Sequence, residues 1–111
     1  LEDTVLEYKH LEYEFGKDVA DLVWKVTDEP GRNRKEKKMA TYPKIKSDPL
    51  AVILKLADRI ANVEASIELH KEGNKNLFGM YQIEYGEFKQ NLYTTEGPQA
   101  MWQRLDELLL K

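Results

Sequence analysis

The segment 53–66, ILKLADRIANVEAS, holds the side chains best placed for chemistry in this sequence. Asp58 stands among Leu54, Leu56, Ala57, Ile60, Ala61 and Val63, and Asn62 follows it by four residues. On a helix, residues four apart stack on one side, so this carboxylate and amide project together. Burying a lone charge in so apolar a stretch is costly, so Asp58 must be paired, metal-bound or neutralised. Two readings stand open on the residues alone. In one, Asp58 pairs with a buried Lys or Arg from another helix. In the other it ligates a metal, with the Asn62 amide touching a substrate.

Other chemistry is scarce. There is no cysteine, which excludes disulfides and thiolate zinc sites. Neither His10 nor His70 has a metal-binding partner four residues on, and both read as surface or half-buried histidines. No Gly-rich phosphate loop occurs. The run Arg32 to Lys38 has five Lys/Arg among seven residues; it reads as a solvated helix face that could help hold a polyanion. The acidic pair Glu2-Asp3 carries no signal by itself.

The elements that must position Asp58 and Asn62 are helical, because apolar residues recur at three- and four-residue spacing and alternation is rare. Six helices are expected. The first runs from about Glu7 to Phe15 and ends at Gly16; the second covers KDVADLVWKVTD before the Pro30-Gly31 turn. A basic third segment breaks at Pro43. The long central helix starts at Ser47 or Asp48, with Pro49 in its first turn, and ends near Lys71 and Gly73. A fifth helix spans NLFGMYQIEYGEFKQNLY with a kink or break at Gly86. The last, QAMWQRLDELLL, presents Met101, Trp102, Leu105, Leu108 and Leu109 as a core stripe.

With 111 residues, the chain fits one small all-α domain. Its net charge of −3, with both signs interspersed, gives no field to draw in nucleic acid or an anionic membrane. No apolar run approaches the length of a membrane span, and a cytoplasmic protein is expected.

The segment KLADRIANV resembles the K-L-A-D-R-x-x-N motif of HD-superfamily phosphohydrolases of the RelA/SpoT type, which hydrolyse guanosine tetra- and pentaphosphate, and of their small phage and bacterial relatives. LEDT resembles the end of that family's H-D-x-x-E-D-T segment, and FGKDVADLVWKVTD its F-G-x-x-V-x-x-L-V-x-x-V-T-D helix. NRKEKK resembles its basic turn, and MYQIEYGEFKQNLY and MWQRLDELL the tails of short members. The pieces follow in family order over nearly the whole chain.

The resemblance implies an HD-domain-like helical bundle and a divalent metal, usually Mn²⁺, that activates water to release pyrophosphate from a nucleotide. It makes Asp58 the distant metal ligand and Glu2 and Asp3 the catalytic acidic pair. Asn62 becomes a nucleotide contact and Tyr81 a residue lying against the nucleotide. It also implies that the other three ligands, a histidine and the His-Asp pair, lie before Leu1. Residues 1–111 are then the C-terminal part of one HD domain, inactive alone, with a complementing N-terminal segment or a homo-oligomer as a possible partner. Ala65 departs from the hydroxyl-bearing residue common in the family. A non-catalytic HD module binding a nucleotide or protein, and an HD enzyme for another phosphoester, are the alternatives.

Overall fold

A computed structural model of the chain describes residues 9–10, 12–73 and 76–110. Among these residues all regular structure is helical, as the apolar spacing implies. Residues 12–15 form a helical turn. Five longer helices follow: α1 (Lys17–Val26), α2 (Arg34–Lys46), α3 (Pro49–Lys71), α4 (Asn76–Leu92) and α5 (Gln99–Leu109). The chain divides into two compact units at Ala51/Val52, within α3. The start of the first expected helix lies outside the described residues.

The helix ends follow local chemistry. Gly16 (φ 89°) and Gly73 (φ 99°) take the left-handed backbone that favours glycine where one helical segment stops. The Asp48 carboxylate accepts from the Leu50 amide at 3.0 Å and caps α3 just before Pro49, at the expected place. The Asn33 side chain accepts from the Glu36 amide at 2.9 Å, capping α2, while the Glu36 carboxylate accepts from the Arg32 amide at 3.1 Å.

In the first unit, the link from α1 to α2 is tied down by the basic helix. Lys38 Nζ donates to both Asp28 carboxylate oxygens at 3.0 Å, and the Glu29 amide donates to Thr41 Oγ1 at 2.8 Å. Lys44 lies 4.1 Å above the Trp24 ring and 3.8 Å from Glu29. A Cβ on Gly31 would meet the Lys37 amide nitrogen at 2.9 Å, so this turn needs glycine to close onto α2. Of the basic run read as a solvated face, Lys38 thus turns inward to hold the α1–α2 link, while Arg32, Arg34, Lys35 and Lys37 are exposed.

Pro43 does not break its helix. It lies inside α2, on the exposed side, while its neighbours Thr41, Tyr42 and Ile45 are buried. Proline cannot donate to the Met39 carbonyl, but packing on the opposite face keeps the helix continuous.

In the second unit, the core is built from Leu56 and Val63 of α3, Tyr85, Phe88 and Leu92 of α4, and Trp102, Leu105 and Leu109 of α5. Phe88 and Trp102 have ring centroids 5.7 Å apart. The 93–98 turn is closed by Gln99: its Nε2 donates to the Thr94 carbonyl at 3.0 Å, and its Oε1 accepts from the Tyr93 hydroxyl at 2.8 Å. Of the expected α5 stripe, Trp102, Leu105 and Leu109 are buried and Met101 and Leu108 half-buried.

Nor does the helix break at Gly86: α4 runs through it, with open space where a Cβ would stand. Buried Tyr85 and Phe88 on either side hold the helix despite the poor propensity of glycine. Gly86→Ala should therefore stabilise the protein by about 0.5–1 kcal/mol, read as a higher thermal midpoint. A lower midpoint would show that the helix needs glycine there.

Candidate functional site

The structure separates the charged residues of the ADRIAN segment in a way the linear sequence does not. The buried strip of α3 is Val52, Leu56, Arg59, Val63 and Ser66, at alternating four- and three-residue spacing. Asp58 is one residue out of that register, and its side chain is 57% exposed. The buried charge expected at Asp58 is instead Arg59, 4% exposed at its side chain. The apolar neighbours that suggested burial divide between two faces: Leu56 and Val63 point inward, while Leu54, Ala57 and Ala61 are exposed. A helix apolar on more than one side does not declare from composition which side is core.

Asp58 and Asn62 do project together. Asn62 Nδ2 donates to Asp58 Oδ2 at 3.4 Å, a long contact that leaves the amide free to turn toward another group. Lys55 Nζ lies 3.9 Å from the same oxygen, its stem buried. Exposed Ala57, Ala61 and Ala65 flank the pair with short side chains and leave its approach open. The surface thus offers one carboxylate and one amide that both donates and accepts.

As a metal centre this set is incomplete. No group of three His, Cys, Asp or Glu able to hold a metal occurs among the described residues. Asp58 is a single oxygen donor, so the described residues alone do not fit a resident Mn²⁺, which takes several oxygen or nitrogen ligands. Glu2 and Asp3 lie outside the described residues. Tyr81 is buried, and the Arg59 guanidinium lies 4.9 Å from its ring centroid.

Sequence reasoning passed over Arg59. Its guanidinium donates to Glu84 Oε1 at 2.9 Å and lies 4.5 Å from the Phe88 ring centroid as well as against Tyr81. The signal was present: Arg59 completes the 52–56–59–63–66 strip, and Tyr81, Glu84 and Phe88 share one face of α4 at spacings of three and four.

A concave surface away from Asp58 was not anticipated. A groove of about 450 Å³ is lined by Gln82, Tyr85, Gly86, Lys89, Gln90 and Tyr93, with Leu110 at its edge. Beneath it the Tyr85 hydroxyl donates to Asp106, and Lys89 Nζ donates to both Asp106 oxygens at 3.0 and 2.9 Å. Burial, then the Asp106 carboxylate, push the Tyr85 phenol well above its ordinary value. Burial pushes the Asp106 carboxyl upward, but the hydrogen bonds from Tyr85 and Lys89 outweigh it and hold that group below its ordinary value. A lowered carboxyl pKa stabilises the fold above the unfolded value and ceases to do so as pH falls through the folded one. The gap in urea midpoint between wild type and Asp106→Asn should accordingly be full at about pH 7 and shrink below about pH 4. A gap that stays constant through that acid range would contradict the network.

No protein-family model, no curated protein and no solved structure matches this chain.

Proposed function

We propose that the complete protein is a cytoplasmic HD-type hydrolase that depends on Mn²⁺ and releases pyrophosphate from a pyrophosphorylated guanine nucleotide, and that this chain supplies its nucleotide-facing part. The observation that carries the reading is the outward pair Asp58 and Asn62, one turn apart on α3, within the segment that resembles the family motif. In the net reaction water adds across a phosphoester bond, leaving a hydroxyl on the nucleotide and free pyrophosphate. Asn62 contributes an amide able to donate to and accept from a nucleotide, beside the Asp58 carboxylate.

Asp58 would be one ligand to the metal. The rest of the ligand set would have to come from outside the described residues. The reading does not depend on Tyr81 stacking on the nucleotide, since that ring already faces Arg59.

A second reading, a non-catalytic helical module that binds a nucleotide or protein, is favoured by the groove over Tyr85 and Lys89, which offers Gln82 and Gln90 amides beside aromatic walls.

The test is Mn²⁺-dependent pyrophosphate release from guanosine tetraphosphate by the product of the complete gene. Asp58→Asn should lower kcat/KM by about 100-fold or more, in line with other losses at metal sites. Its thermal midpoint should barely move, because the side chain is exposed. No pyrophosphate from the wild type, or full activity in the variant, would overturn the hydrolase reading and leave the binding module.

A further inference from the structure

We draw no further inference here: the strongest candidate, the groove along α4 over Gly86 between Gln82 and Gln90, belongs to the binding reading already described, its floor groups Tyr85, Lys89 and Asp106 satisfy one another, and nothing in the structure shows what covers it.

Discussion

The constraint on which the second unit depends is the burial of one guanidinium. Arg59 occupies a strip of α3 that is otherwise core, and it is tolerated there because α4 meets it with a carboxylate and two aromatic faces. Arg59 shares the inward side of α3 with Val52, Leu56, Val63 and Ser66, and the outer face carries Asp58 and Asn62. Asp58, one residue out of that register, is exposed. The question that an aspartate in an apolar helix poses at first sight is answered by its neighbour.

The first unit solves a different problem with similar groups. Its basic helix α2 holds down the connection from α1 through Lys38 with Asp28, Lys44 with Glu29 and Trp24, and Glu36 with the Arg32 backbone. Burial pushes the Lys44 ammonium below its ordinary value, against the pull of Glu29 and Asp28. Within the basic run only Lys38 is buried, against Asp28, while Arg32, Arg34, Lys35 and Lys37 stay exposed. Among the described residues no helix is long and apolar enough to cross a membrane.

Much of the fold was legible where a residue has one strong local preference. Gly16 and Gly73 end helical segments because they accept a positive φ, and Asp48 starts α3 because its carboxylate caps the first turn. Legibility failed where a local preference meets tertiary packing. Pro43 and Gly86 disfavour helix by themselves, but buried neighbours on the opposite side of each helix carry the backbone through. The site was half legible. The four-residue spacing placed Asp58 and Asn62 on one side, but composition could not say whether that side was core. Tyr81 could be assigned to a helix, yet nothing local announced that Arg59 would cover its ring. Glu2 and Asp3 fall outside the described residues, and their assigned role rests on the resemblance.

The most direct measurement is carboxylate footprinting of the folded protein with a water-soluble carbodiimide and an amine, followed by peptide mass spectrometry. If α3 is turned as described, Asp58 is modified readily, while Glu84, shielded beside Arg59, is modified only on unfolding. Protection of Asp58 together with rapid labelling of Glu84 would contradict the orientation of α3 and the outward site built on it.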